Sequence, residues 1–183
     1  VHSEDSQRLV TSACDNIASL PAIATKDSFL EALDVVGYNY VGRWRERAER
    51  FYEDDKIAHP DRLFIGTENP SVCGDRGDYS LEGPNNTNYT TATLTHEALW
   101  RFTASRDYVA GDYIWTGIDY LGEAHWPRRG ANFGAIDTAG FKKDAYYYFR
   151  SIWNKDDVTL HLLPHWNFKG DEGIFKQVLC YTN

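Results

Sequence analysis

The chain has 183 residues with 19 basic and 27 acidic side chains, a net charge of −8 that argues against a general polyanion binder and against a nucleic-acid partner. Hydrophobic residues make up 42% and charged residues 25%, which suits a packed domain and not a disordered chain. No apolar run nears the roughly 18 residues of a membrane span, no signal segment opens the chain, and three scattered cysteines make neither a disulfide framework nor a CxxC metal site.

Taken in order, residues 8–13 (RLVTSA), 33–40 (LDVVGYNY), 62–68 (RLFIGTE) and 109–115 (VAGDYIW) read as short strands. They are β-branched and aromatic with little strict alternation, the pattern of strands covered on both faces in a parallel sheet. Helices are predicted between and after them, over residues 27–32, 43–58, 93–105 and 143–153. Strand and helix in alternation point to βαβ units and an α/β layer architecture. The character changes after Asn154. Residues 157–163 and 175–181, joined by a polar turn at 169–173, read as a β-hairpin. The predicted division is therefore 1–155 and 156–183. The Asn- and Gly-rich stretch 73–91 is the longest irregular segment, and its two N-x-[ST] sequons, at Asn85 and Asn88, carry little weight. The chain holds no methionine, opens Val1-His2-Ser3 and stops within a strand-like run, so the expectation is a piece of a longer protein.

Glu68 ends the third strand run and precedes Asn69-Pro70, which continues neither strand nor helix comfortably. A carboxylate at the carboxyl end of a parallel strand occupies the rim where α/β barrels place their active sites; a loop acid in a surface ion pair is the plainer alternative. Gly37-Tyr38-Asn39-Tyr40 closes the preceding strand, and a tyrosine beside a glutamate can donate to its carboxylate and orient it. Alternation would send Tyr38 and Tyr40 the same way and Asn39 the other, until the strand ends. Trp115 and Asp119 end the fourth strand run, and an indole face suits the apolar face of a pyranose, or simply a core. The six histidines show no HxH or HxxxH spacing, so no metal site is expected, and His96 falls on what reads as a solvated helix face. The cluster Arg43-Trp44-Arg45-Glu46-Arg47 also reads as a solvated helix face. No G-x-S-x-G, P-loop or GxGxxG is present.

The ordered segments DVVGYNY, HPDRLFIGTENPS, YVAGDYIWTGIDYLGE, WPRRGANFGAIDTAGFKKDAYYYFRSIW and LHLLPHWNFKGDEG resemble glycoside hydrolase family 2, its β-galactosidase branch most of all. The resemblance implies that residues 1–155 are the second half of a (β/α)₈ TIM barrel, strands five to eight, and that 156–183 begin an immunoglobulin-like β-sandwich. It implies a retaining hydrolase of terminal β-D-galactosides with Glu68 as nucleophile, Tyr40 as its orienting hydrogen-bond donor, and Trp115 as the floor of the sugar site. Asn39 and Asp119 would also touch substrate.

The family's acid/base is the Glu of an Asn-Glu pair, and no such dipeptide occurs in this chain. Half of the catalytic pair is therefore expected from a missing N-terminal half, and the isolated segment is expected to be inactive. Where β-glucuronidases carry Asn-x-Lys this chain has Asn132-Phe133-Gly134, which favours a neutral hexose; β-glucuronidase and β-mannosidase remain alternatives. So does a carbohydrate-binding or structural module without catalysis. No cofactor is implied for this segment, and Mg²⁺ or Na⁺ in the parent enzyme leaves no readable ligand pattern here. The expected partners are a β-galactoside or related glycan, the missing half and, in the parent, a second copy; a membrane is not among them. The resemblance favours a bacterial periplasmic or secreted location.

Overall fold

The computed structural model describes residues 1–15, 23–41, 50–69, 76–77, 89–124, 126–127, 129–165, 167–175 and 178–183. The chain divides into two compact units, Val1–Ser71 with Glu97–Trp115, and Val72–His96 with Thr116–Asn183.

The first unit is built on a parallel sheet of four strands in the order β1-β2-β3-β4: β1 (Ala13–Cys14), β2 (Val36–Asn39), β3 (Phe64–Glu68) and β4 (Val109–Asp112). Parallel neighbours need crossover connections, and helices α1 (Asp27–Leu30) and α2 (Phe51–Ala58) lie in the first two. Acids Glu53 and Asp54 in the first turn of α2 and Lys56 in its last complement the helix dipole. Strand β1 is shorter than its apolar run suggests. The Asp34 carboxylate captures the Val10 N–H at 2.7 Å, and the Val10 carbonyl accepts from the N–H groups of Asp34 and Val35, so the regular ladder begins only at Ala13.

One side of this sheet buries Cys14, Val36, Tyr38 and Phe64 against Leu30 and Tyr52, with Phe102 and Tyr108 packed on the cluster. Tyr38 stacks on Phe64 with centroids 6.1 Å apart, and Tyr52 meets Phe64 at 5.7 Å and Phe102 at 5.8 Å. The high aromatic content thus supplies the core of this unit. A buried tyrosine hydroxyl usually finds a hydrogen-bond partner, and Tyr38 donates to Asp55 of α2 at 2.5 Å. Asp55 also accepts from Arg62 at 2.6 Å, tying helix α2 to the entry of β3.

Two irregularities in the ladder redirect the strand ends. Between β2 and β3, Tyr38 pairs with Gly66 but Asn39 pairs with Glu68, so Thr67 is an extra residue on β3. Between β3 and β4, Phe64 pairs with Val109 and Gly66 with Asp112, so β4 carries the extra residue there. Such bulges re-aim the side chains beyond them.

In the second unit, helix α4 (Asp144–Trp153) buries Tyr148, Phe149 and Ser151. The hairpin of β5 (Leu160–Leu163) and β6 (Leu179–Thr182) is antiparallel, with Leu160 opposite Thr182 and Leu163 opposite Leu179. His161 of β5 stacks on Tyr147 at 3.9 Å and meets Asp144 at 2.6 Å, and Tyr148 packs edge-on against Tyr181 at 5.3 Å. Helix α3 (Tyr89–Ala104) begins four residues before its predicted start. His96, expected on a solvated face, is 2% exposed, with Phe149 edge-on at 5.5 Å. The sequons and the Arg43–Arg47 cluster lie outside the described residues. Among the described residues no helix is long and apolar enough to cross a membrane.

Candidate active site

Glu68 is the last residue of β3 and stands, half-buried, at the carboxyl end of the parallel sheet. Strict alternation from Phe64 and Gly66 would place Glu68 on the side of the aromatic core. The extra residue Thr67 resets the alternation at the end of the strand, and the carboxylate meets Tyr40 instead. The Tyr40 hydroxyl donates to Glu68 Oε2 at 2.6 Å.

Tyr40 does not follow Tyr38. Strand β2 ends at Asn39, and Tyr40 turns into the left-handed region at φ 54°. Its N–H donates to the Glu68 carbonyl at 2.8 Å, so backbone and side chain of Tyr40 both address Glu68. A common direction for the two tyrosines was expected only as far as the strand runs, and the strand ends at Asn39, before Tyr40. Tyr38 enters the core and Tyr40 the rim.

Asn39 is 5% exposed and its Oδ1 accepts the Thr67 hydroxyl at 2.7 Å, linking the same two strand ends. Trp115 lies half-buried three residues beyond β4. Backbone pairing continues past the regular ladder there, with the Tyr113 N–H on the Gly66 carbonyl at 2.8 Å and the Asn69 N–H on the Tyr113 carbonyl at 2.7 Å. Glu68, Tyr40, Asn39 and Trp115 thus belong to one unit, and hydrogen bonds join the first two directly.

Asp119 belongs to the second unit. Its Oδ1 accepts Lys143 Nζ at 2.7 Å and the Gly134 N–H at 2.7 Å, and Lys143 Nζ also reaches the Asn132 carbonyl at 3.1 Å. The side chains of this ion pair are only 6% and 11% exposed. Oxygen Oδ1 of Asp119 is committed to holding this loop together.

Sequence reasoning passed over the groups behind Glu68. Asn69 is fully buried, and its Nδ2 donates to Asp112 Oδ1 of β4 at 3.2 Å. Burial pushes the Asp112 carboxyl above its ordinary range, and the Thr103 and Asn69 side chains offset this in part. A Cβ on Gly66 would lie 1.9 Å from Asp112 Oδ1 and 2.4 Å from Asn69 Nδ2, so only glycine leaves room for this pair. The available signal was Gly66 in an otherwise β-branched run, which marks close approach. Nothing in the sequence distinguished Lys143 from its neighbour Lys142.

An oriented carboxylate at the carboxyl end of parallel strands can act as a nucleophile, a base or a charge stabiliser. No protein-family model matches the chain. It is 33% identical over 176 residues to a β-galactosidase of Bacteroides ovatus, a match covering 82% of this chain and 20% of that protein. A β-glucuronidase of Bacteroides fragilis is 33% identical over 75 residues, covering 38% of this chain and 11% of that protein. The crystal structure of a β-glycosidase from Bacteroides vulgatus superimposes with a TM-score of 0.73 at 28% identity, covering 100% of this chain and 26% of that one. The chain spans about a fifth or less of the length of these curated relatives.

Proposed function

Because this chain is related to the β-galactosidase-like enzymes of glycoside hydrolase family 2, we propose that it supplies the nucleophile half of a retaining glycosidase site. The carrying observation is the 2.6 Å hydrogen bond from Tyr40 to Glu68 at the carboxyl end of the parallel sheet. Glu68 attacks the anomeric carbon and forms a glycosyl ester while an acid protonates the leaving oxygen; water, activated by the same second carboxylate, then releases the sugar. In such enzymes the two carboxyl groups stand about 5–5.5 Å apart, and the partner comes from the part of the protein outside this chain. Tyr40 fixes the Glu68 carboxylate in one orientation before attack, and Trp115 gives the sugar ring an aromatic surface. Asn39 and Asp119 are assigned to the substrate's surroundings, Asp119 through the loop that it anchors. On this reading residues 1–155 are strands five to eight of a (β/α)₈ barrel with their helices, and residues 156–183 open an immunoglobulin-like β-sandwich.

The favoured substrate is a terminal β-galactoside. A uronic acid needs a cation for its carboxylate, because a buried unpaired charge is costly. The position where β-glucuronidases carry lysine is Gly134, and a Cβ there would lie 2.2 Å from the Asp119 nitrogen, 2.5 Å from the Ile118 carbonyl carbon and 2.6 Å from the Ile136 oxygen. All three atoms are backbone, so this loop accepts no side chain at 134. The test is the ratio of kcat/KM for an aryl β-galactoside and an aryl β-glucuronide in the full-length protein. The expected result is a preference for the galactoside of at least about 100-fold, the size of a lost charged contact. Equal rates, or preference for the glucuronide, would replace the galactoside assignment with the glucuronidase reading.

A further inference from the structure

Asn69 is the residue after the proposed nucleophile and is completely buried. Its Oδ1 accepts the Val41 N–H at 3.0 Å, and its Nδ2 donates to the Tyr38 carbonyl at 3.3 Å and to Asp112 at 3.2 Å. The first two of these groups flank Tyr40, the residue that stands at φ 54°. A bulky L-residue rarely occupies the left-handed region and stays there only when its surroundings over-determine it. One amide supplies that determination from both sides, accepting from the residue after Tyr40 and donating to the second residue before it. Asp112 anchors the amide from β4, and Gly66 keeps the space between them open.

The chemistry calls for an amide. Only asparagine or glutamine offers an acceptor for an N–H and two donors for oxygen acceptors in one planar group. Aspartate would present acceptors alone and set a second carboxylate against Asp112. Alanine would leave the Val41 N–H, the Tyr38 carbonyl and Asp112 without this partner, and a buried group left unsatisfied costs its full desolvation.

We propose that Asn69 is a positioning residue of the glycosidase site: it clamps the backbone on both sides of Tyr40 and so keeps the Tyr40 hydroxyl on the Glu68 carboxylate. The inference rests on the reading of Glu68 as nucleophile. It predicts that Asn69 acts through Tyr40, which a purely structural residue would not do.

The test is a double-mutant cycle in the full-length enzyme. Asn69→Ala and Asn69→Asp are made alone and together with Tyr40→Phe, with Glu68→Gln as the control, and kcat and KM are measured on an aryl glycoside that the enzyme turns over. Each single change at Asn69 or Tyr40 is expected to lower kcat by about 10–100-fold, the worth of one hydrogen bond to a charged group, and to leave KM within about threefold. In the Tyr40→Phe background, the further loss from Asn69→Ala or Asn69→Asp should be no more than about threefold, because the bond that Asn69 serves is already absent. Losses that multiply, or a loss confined to KM, would overturn the inference while leaving Glu68 in place. If Asn69→Ala does not fold, Asn69→Ser, which keeps a polar group and adds no carboxylate beside Asp112, carries the cycle. An active Glu68→Gln enzyme would overturn the nucleophile reading and this inference together.

Discussion

The two units of the chain hold their polar residues in opposite ways. In the first, a parallel ladder and an aromatic cluster make the scaffold, and Glu68, Tyr40, Asn39 and Asn69 gather at one end of it. In the second, the described residues of 116–142 form three isolated bridges, Ile118 with Ile136, Tyr120 with Ala131, and Ile136 with Lys142. Carboxylates organise the backbone there instead. Asp119 takes the Gly134 N–H and Lys143, while Asp137 takes the N–H groups of Ala139 and Phe141 and the Arg76 side chain. In the first unit the backbone ladder makes the scaffold, and polar side chains such as Asp34 and Asn69 fix its ends. In the second they are much of the fold.

The largest effect that sharpens this contrast is Glu68→Gln. Turnover should fall by on the order of 10⁴-fold or more in the full-length protein, while stability stays within about 0.5 kcal/mol, as for an exchange that keeps shape. Activity assays beside a urea titration read both quantities. A large loss of stability would mean that Glu68 is a structural acid.

Lys143→Ala should behave in the opposite way. It strands Asp119 in a nearly buried site, and breaking such a pair costs about 3–5 kcal/mol. Denaturant unfolding should show that loss, and local unprotection of residues 116–136 in hydrogen exchange should accompany it. Unchanged unfolding would show that the bridges and Asp137 hold the loop without the ion pair.

The smallest effects concern pH, and the two units should differ in sign. Burial raises the Asp112 carboxyl above its ordinary value of 3.8. A group raised on folding contributes stability below its unfolded value and loses it as pH rises through the folded one, so Asp112→Asn should remove a decline above pH 3.8. Asp137 is lowered, first by the Phe141 N–H; burial opposes this, and Arg76 and the Ala139 N–H add to the lowering. Its contribution is present above 3.8 and lost as pH falls through the lowered value, so Asp137→Asn should flatten the acid side alone. Melting temperature against pH for the three proteins reads both slopes, and a common sign would contradict the contrast.

The same contrast decided how much was legible in the sequence. The apolar runs 33–40, 62–68 and 109–115 were legible because burial on both faces of a sheet leaves a compositional trace. The rim was legible only in part. Glu68 and Tyr40 stood out as the polar ends of apolar runs, yet their directions depend on the extra residue Thr67 and on the left-handed turn at Tyr40. A bulge changes register without changing composition, so alternation counted from Phe64 gives the wrong side for Glu68, and Tyr40 lies past the end of β2, where alternation no longer applies. Asn69 and Asp112 were missed because their pairing spans 43 residues. Lys143 was missed because a lysine at the mouth of a helix ordinarily faces water. His96 was misread because its helix is covered on a face whose polar residues suggested exposure.

Glu68 is proposed as the nucleophile, held on target by Tyr40. Its most direct test is covalent trapping: the full-length protein is incubated with an activated 2-deoxy-2-fluoro-β-galactoside, digested, and mapped by mass spectrometry. The predicted result is one fluorosugar per protein, attached as an ester to Glu68 and absent from Glu68→Gln. An adduct on another residue, or inactivation of Glu68→Gln at the same rate, would contradict the claim.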